Sequence, residues 1–273
     1  MKKIETTRWL LYVLIFLSVL LPLIFQINLP ITETKVARGV YNLIEDANEN
    51  ANVIISFDYD PSSKPELQPM AVSVIRHCLR RNYNMIFTAL WPMGVQMASG
   101  AVETVRKDNP HLEYGTQYVN LGYKAGGMVT LQKMGKDLRD VFPADMSGTS
   151  IDSLALLDGI NSLNDIDFII SLSAGVPGIK EWIMVGHDKY GRSVAGGTTA
   201  VTAPNILPYV NDQNQLSGLL GGLKAAAEYE KMTGASGTAT AGMDAQSIAH
   251  LVIIIFVILG NVRYHINKKR GEE

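Results

Sequence analysis

The chain has 273 residues, with 24 basic and 26 acidic residues and a formal net charge of −2. Setting aside seven basic and three acidic residues near the two ends leaves 17 basic against 23 acidic residues, so the middle carries about −6. Because nucleic-acid binding needs a basic face, no nucleic-acid partner is expected. The single cysteine, Cys78, excludes an intramolecular disulfide, and its helical spacing with Val74 and Leu79 predicts a core position.

Two charge-free apolar runs predict membrane helices near the two ends. Residues 9–29 can cross a bilayer core, and the absence of a small-x-small cleavage site favours an uncleaved signal anchor over a signal peptide. Residues 246–262 form the second run, and the basic cluster after it favours a stop-transfer helix over a buried core helix. The positive-inside rule then places residues 1–8 and the basic tail 263–273 in the cytoplasm. We expect a two-pass cell-membrane protein with an extracytoplasmic main domain.

Between these runs, hydrophobic periodicity predicts an α/β domain. Residues 30–48 should form a juxtamembrane amphipathic helix, residues 49–232 the domain, and residues 233–245 a linker of small residues. Strands are predicted at 52–57, 84–91, 116–121 and 167–172, with helices at about 65–81, 92–107, 126–142 and 151–163. This alternation predicts a mostly parallel, Rossmann-like, doubly wound sheet flanked by two transmembrane helices.

The segment after residue 172 has weaker patterns. They predict a short helix at 177–182, a short strand at 184–186, an edge strand at 193–202 and a helix at 216–232. The last helix would carry a face of small residues, namely Gly218, Gly221, Gly222, Ala225 and Ala226. The spacing of Gly218 and Gly222 permits close contact with another backbone, either within the domain or in a partner chain.

The first candidate site is the pair Asp58 and Asp60, where the opening strand ends. Two carboxylates one residue apart could hold a divalent cation or divide the roles of nucleophile and acid. A strand that ends in Asp-x-Asp resembles the start of haloacid-dehalogenase-type phosphatases. That family also needs a downstream lysine and a later acidic pair at a strand end, but no Asp-Asp follows a buried strand, and the resemblance covers only about ten residues. The alternative is that both aspartates cap the turn and the following helix.

The second candidate is the segment Gly122-Tyr-Lys-Ala-Gly-Gly127, before a predicted helix. Backbone N–H groups of Gly126 and Gly127 could meet an anion at the helix N-terminus, with added charge from Lys124. The segment matches neither a Walker motif nor a GxGxxG fingerprint, and the alternative is a flexible turn.

The third candidate lies where the fourth predicted strand ends, at Ser171 and Ser173. A serine in a strand-to-helix turn occupies the position of a nucleophile, although Gly-x-Ser-x-Gly is absent, and His187 could supply a base. His77 and His111 are expected to face solvent. The histidine spacing predicts no zinc site, and no resident cofactor is expected apart from a divalent cation at Asp58 and Asp60.

Two functions remain open from the sequence. The first is a non-enzymatic subunit of a membrane protein complex, which docks a membrane-protein partner or a second copy of itself, or senses a ligand. The second is a membrane-tethered hydrolase or phosphatase that uses Asp58 and Asp60, or Ser173 and His187. The two anchors and the lack of a complete catalytic motif favour the first function.

Overall fold

Strands and helices alternate through the middle of the chain, as the periodicity predicts. The structure is a computed structural model that describes residues 2–25, 27–235 and 237–270, with backbone alone for residues 2–8. The strands are β1 (Asn52–Asp58), β2 (Asn84–Ala89), β3 (Tyr118–Tyr123), β4 (Phe168–Ser173), β5 (Ser193–Thr198) and β6 (Leu219–Gly221). The helices are α1 (Lys2–Ile24), α2 (Lys35–Glu45), α3 (Lys64–Arg80), α4 (Gly94–Asp108), α5 (Met128–Lys136), α6 (Ile179–Trp182), α7 (Ala203–Ile206), α8 (Gly222–Met232) and α9 (Thr238–Arg270).

The chain divides into two compact units. Residues Ile31–Ala235 form the α/β unit. The described parts of Met1–Pro30 and Ser236–Glu273 form the helical unit.

The six strands of the α/β unit are parallel and lie in the order β3-β2-β1-β4-β5-β6. The order reverses between β1 and β4, which is the switch point of a Rossmann-type sheet. β1 and β4 are buried along almost their whole length because helices cover both faces, which accounts for their continuous apolar sequences. The predicted α/β class and Rossmann-like parallel sheet are therefore confirmed.

Side-chain alternation assigns the helices to the two faces of the sheet. Ile54 lies beside Ile86 and Ile169 in one row, and this row packs in one core with Leu131 of α5 and Trp182 of α6. On the opposite face the backbone of Gly197 approaches Met70 of α3. α4 and α8 pack against α3 on that side. The core is thus split into two layers by the sheet.

The glycines at 218 and 222 do not lie on one helix, which corrects the helix predicted at 216–232. Residues 219–221 form β6, and α8 begins only at Gly222, whose φ of 70° allows the sharp change from strand to helix. The close backbone contact predicted for Gly218 is present, and it is made with α2. A Cβ on Gly218 would lie 2.3 Å from the backbone nitrogen of Val40, and a Cβ on Gly39 would lie 2.1 Å from the carbonyl oxygen of Ser217.

The strand predicted at the edge is internal, because β6 pairs with β5 on its outer side. The expected close approach at its glycines is present, since a Cβ on Gly196 would lie 2.7 Å from the Cδ1 atom of Ile179. The segment 184–186 is not a strand but part of a π-helical turn, Ile183–His187, which continues from α6.

Two predicted helices are shorter or irregular. α5 ends at Lys136, where the Asp137 carboxylate accepts a hydrogen bond from the Arg139 backbone N–H at 2.8 Å. This side-chain bond stabilises a turn in place of a further helical turn. The segment 151–163 forms separate 3₁₀ turns at Ile151–Ser153 and Ala155–Leu157, with a third turn at Leu163–Asp165.

His77 and Cys78, two side chains of α3, both lie in the core. His77 is buried rather than solvent-facing, and its ring nitrogens pair with Tyr229 and Glu45, both at 2.7 Å. Burial lowers the pKa of His77. Cys78 is fully buried, which confirms its predicted core position.

In the helical unit, α9 is long and apolar enough to cross a membrane. Its 33 residues correspond to about 50 Å, more than the ~30 Å hydrocarbon core of a bilayer, and it contains the predicted span 246–262. It begins at Thr238, inside the segment predicted as a linker. The described apolar stretch of α1, Trp9–Ile24, is shorter than the usual length of about 20 residues, so a second membrane span remains a prediction.

Asp244, near the start of α9, ties the chain segment that follows α1. Its buried carboxylate accepts backbone N–H groups of Ile27, Asn28 and Leu29 at 3.1, 2.8 and 3.0 Å. α1 packs along α9, and the segment just after α1 is bound to Asp244 near the start of α9. The two helices are therefore antiparallel, and the start of α1 and the end of α9 lie at the same end of the helical unit.

The close contact between α2 and the start of β6 generates the first testable prediction. Gly39→Ala places a methyl group against the Ser217 carbonyl, and we expect a loss of about 1–3 kcal/mol in the free energy of unfolding. The matched control is Gly100→Ala in α4, where the nearest atom to the new Cβ is 3.5 Å away. Because alanine favours helix, the control should be neutral or stabilising by up to about 1 kcal/mol. Thermal unfolding in detergent measures both, and equal effects would contradict the contact.

Asp244 yields a second prediction. Asp244→Ala removes the acceptor of three backbone N–H groups, so the segment 27–29 should exchange its amide hydrogens at least about tenfold faster, equivalent to one lost buried hydrogen bond. Hydrogen exchange read by mass spectrometry on the full chain in detergent measures this change. Gln246→Ala, an exposed position on the same helix, is the control and should leave the exchange rate of that segment unchanged.

Candidate functional site

The candidate site lies at the carboxyl ends of β1 and β4, on both sides of the switch point. In a sheet with this strand order, ligands bind in the crevice outside these strand ends. Asp58 is the last residue of β1, and its register partner Ser173 is the last residue of β4. The sequence prediction that polar side chains gather here is met by these two residues and by Ser171.

Asp58 is completely buried and has four hydrogen-bond contacts from its surroundings. One carboxylate oxygen, Oδ1, accepts the backbone N–H of Leu90 at 2.7 Å. The Ser56 hydroxyl lies 2.9 and 2.8 Å from the two carboxylate oxygens, and the Ser171 hydroxyl lies 3.5 Å from Oδ2. Asp58 therefore connects β1 with the exit of β2 and with β4.

Burial raises the pKa of Asp58 to about 7, because the charged carboxylate is removed from water. The hydrogen bonds from Leu90 and Ser56 oppose this rise in the pKa. The Trp182 indole N–H also lowers it, although its geometry falls short of a hydrogen bond and it has no hydrogen-bond partner among the described residues. Burial therefore favours the protonated carboxyl group at a higher pH than for an ordinary aspartate.

A bridge between two loops closes the crevice above these residues. The Trp91 indole N–H, after β2, donates to the Pro177 carbonyl, after β4, at 2.8 Å. Gly175 packs against the Trp91 ring, and Gly127, which precedes α5, packs against the Pro177 ring. We call these contacts the Trp91–Pro177 bridge. It connects the loops on either side of β1, and Asp58 and Ser173 at these strand ends are buried, exposed by 0% and 2%.

The Ser173 hydroxyl forms its hydrogen bonds with its own loop and not with a catalytic base. Its hydroxyl donates to the Gly175 carbonyl at 2.9 Å and lies 3.2 Å from the Gly175 backbone N–H. His187 bonds instead to Asp188 at 2.9 Å. The neighbouring Gly186 packs on Ile169, four residues before Ser173, so about 13 Å of strand separates the two levels. The structure does not bring Ser173 and His187 together.

Asp60 lies outside this enclosed group. Its carboxylate accepts the Ser62 backbone N–H at 3.0 Å and the Ser62 hydroxyl at 2.5 Å, and the hydroxyl bond is the main reason why its pKa is lowered. It therefore stabilises the turn before α3, whereas Asp58 points into the sheet. Among the described residues, no group of three or more His, Cys, Asp or Glu side chains could hold a metal ion.

The glycine segment before α5 has the backbone geometry of a helix entry. Gly126 and Gly127 have φ values of 116° and 50°, which favour glycine, and Gly127 occupies the N-cap position. Lys124 lies with its ammonium group 5.7 Å from the centre of the Phe142 ring. These residues are close to the bridge through Pro177, but Lys124 has no described contact with Asp58.

Two clefts lie at the other end of the sheet. A cavity of about 470 Å³ includes Phe168 and Ser193, the first residues of β4 and β5. A second one of about 520 Å³ includes Asn52 and Asn84, the first residues of β1 and β2. Neither reaches Asp58 or Ser173, so these spaces are separate from the strand ends where the sequence places its candidates.

An exposed apolar residue follows each of β2, β3, β4 and β5 at the carboxyl end of the sheet. These residues are Met93, Val129, Val176 and Val201, exposed by 40%, 59%, 73% and 86%. The loops after β2 and β4, which carry Met93 and Val176, are joined by the Trp91–Pro177 bridge, and a hydrogen bond from Thr202 to the Ala174 carbonyl at 3.2 Å joins the loop after β5, which carries Val201. Val129 is the second residue of α5. We call these four residues the apolar rim. Apolar side chains exposed on neighbouring loops are typical of an interaction surface.

Ser56, Trp91 and Trp182 are not predicted by the sequence as site residues. The position of Ser56 could have been predicted, because a residue two positions before Asp58 lies on the same face of the strand. Trp91 follows a predicted strand, but nothing local indicates that it reaches the loop after β4, 86 residues later.

The raised pKa of Asp58 generates a third prediction. A carboxyl whose folded pKa lies above its unfolded value stabilises the fold at low pH, and this stabilisation is lost as pH rises from about 4 to about 7. Asp58→Asn cannot titrate, so its stability relative to the unmodified protein should increase by about 2 kcal/mol between pH 5 and pH 8. Thermal unfolding across this range measures the difference. Asp60→Asn is the control and should show no such trend, and a parallel pH profile for Asp58→Asn would contradict the burial.

Comparison with known proteins adds no family to this description. No protein-family model, curated protein or solved structure matches the chain. The function is therefore inferred from the side chains, burial and charge of the chain itself.

Proposed function

We propose that this chain is a two-pass membrane protein whose extracytoplasmic α/β unit is a non-enzymatic docking subunit of a membrane protein complex. The observation that carries the proposal is the closed crevice at the switch point, surrounded by the apolar rim. The edge of the sheet that binds ligands in this fold is sealed by the chain itself and presents apolar side chains outward.

The helical unit supports the membrane placement. Large apolar side chains are exposed along both helices, including Trp9 and Phe16 of α1 and Ile254 and Leu259 of α9. In water such a surface would be unfavourable, whereas in lipid it is the expected outer face. The antiparallel pairing puts the basic segments at both chain ends on one side, in agreement with cytoplasmic termini under the positive-inside rule.

Enclosure of Asp58 and Ser173 supports docking over hydrolysis. A nucleophile or a general acid must reach the atom it attacks, to within about 3 Å. Asp58 is fully buried and Ser173 almost so, and the Ser173 hydroxyl bonds to its own loop. The hydrolase or phosphatase alternative would require the Trp91–Pro177 bridge to open.

The apolar rim supports a protein partner. Val176 and Val201 are short, rigid side chains on loops that are fixed by hydrogen bonds, so they lose little conformational entropy when covered. We take the partner to be another membrane protein. The alternative partner is a second copy of this chain, and the experiment below distinguishes the two.

The fourth prediction tests this surface. A photo-crosslinking amino acid at position 176 or 201, in the full chain in its native membrane, should give one adduct of discrete mass. The same amino acid at position 184 is the matched control, because Met184 is 53% exposed but lies outside the rim. It should give no such adduct, and Val176→Asp should remove the adduct formed from position 201.

The adduct mass distinguishes the partners, since twice the mass of the chain indicates a second copy and any other mass a different protein. The proposal is contradicted if rim and control positions give the same pattern. It is also contradicted if the purified chain hydrolyses a phosphomonoester or carboxylic ester and loses that activity in Asp58→Asn or Ser173→Ala.

A further inference from the structure

The end of the helical unit at which α1 begins and α9 ends has a concentration of positive charge. Arg263, Lys268, Lys269 and Arg270 are exposed in the last turns of α9. Lys2, Lys3 and Arg8 lie by position in the first turns of α1. We call these seven residues the basic collar. The segments 2–8 and 263–270 contain one acidic residue, Glu5, and Glu272 and Glu273 follow.

The antiparallel pairing of α1 and α9 brings the two halves of the collar to one level. Asp244 fixes this pairing at the far end by bonding to the backbone at residues 27–29. α1 packs along α9 from there toward the termini. The collar is therefore a property of the fold and not of either terminal segment alone.

Exposed aromatic side chains lie close to the collar along both helices. Trp9 and Tyr12 of α1 and Tyr264 of α9 are all more than half exposed. Tryptophan and tyrosine concentrate at the boundary between hydrocarbon and water. Beyond Tyr264, α9 continues for six more residues, about 9 Å, which is enough to cross a headgroup layer of about 5–8 Å.

We propose that the basic collar binds the phosphate groups of anionic phospholipids in the leaflet that faces the chain termini. The inference rests on the proposed membrane placement. Lysine and arginine beside a membrane helix are attracted to anionic headgroups, and arginine can bind a phosphate oxygen pair with two N–H groups. A zwitterionic headgroup carries no net charge and gains little from the collar.

The fifth prediction is a lipid preference. The full chain in mild detergent is mixed with equal amounts of phosphatidylglycerol and phosphatidylcholine, and native mass spectrometry counts the lipids that remain bound. We expect phosphatidylglycerol to be retained about tenfold more than phosphatidylcholine. The triple variant Lys268→Gln, Lys269→Gln and Arg270→Gln should bring this ratio toward one, and the conservative changes Lys268→Arg and Lys269→Arg should preserve it.

The matched control neutralises three exposed lysines of the α/β unit, Lys107, Lys133 and Lys136, and should keep the preference. A soluble competitor, glycerol phosphate, separates a lipid site from a site for free phosphate. The inference is overturned if glycerol phosphate at the lipid concentration displaces phosphatidylglycerol, or if the collar variant keeps the tenfold ratio. If the chain were soluble without detergent, the proposed membrane placement would be contradicted. That outcome is distinct from a failure of the lipid preference alone.

Discussion

The buried carboxyl group of Asp58 is the constraint around which the α/β unit is arranged. It receives the Leu90 backbone N–H from the end of β2 and hydroxyl contacts from Ser56 of β1 and Ser171 of β4. A buried carboxyl group is costly unless it is hydrogen-bonded or protonated. Asp58 is hydrogen-bonded from three directions, and burial raises its pKa to about 7, which favours the protonated form. Removal of the carboxyl group would take the acceptor away from the buried Leu90 backbone N–H at the carboxyl end of the sheet.

This arrangement links the sheet to the surface above it. The same strand ends that bring Ser171 and Ser173 beside Asp58 also fix the loops that carry Trp91 and Pro177, and these two residues close the crevice. The loops after β2 and β4 also carry Met93 and Val176 of the apolar rim. Ligands usually bind at this edge of the fold, whereas here Asp58 and Ser173 are buried and exposed apolar residues follow the strands, and the proposed docking function rests on this difference.

Much of this architecture could be predicted from the sequence, and the failures have physical causes. β1 and β4 were predicted within one residue, because strands buried on both faces are continuous apolar runs. The segment 216–232 was assigned to one helix because its small residues recur at helical spacing. The decisive contact, the Gly39 backbone against Ser217, lies almost 180 residues away in the sequence and leaves no local pattern. Asp58 was predicted as a site residue, but its enclosure depends on the Trp91–Pro177 bridge, which forms only in the tertiary fold.

The central claim, that the chain itself seals the switch-point crevice, can be tested by thiol labelling of the full chain in detergent. Ser173→Cys places a thiol at the last residue of β4, and Ser62→Cys places one in the exposed turn before α3. The native Cys78 is fully buried and gives a low background. The sealed crevice predicts rapid maleimide labelling at position 62 and labelling at position 173 only after denaturation. Equally rapid labelling at both positions in the folded protein would contradict it.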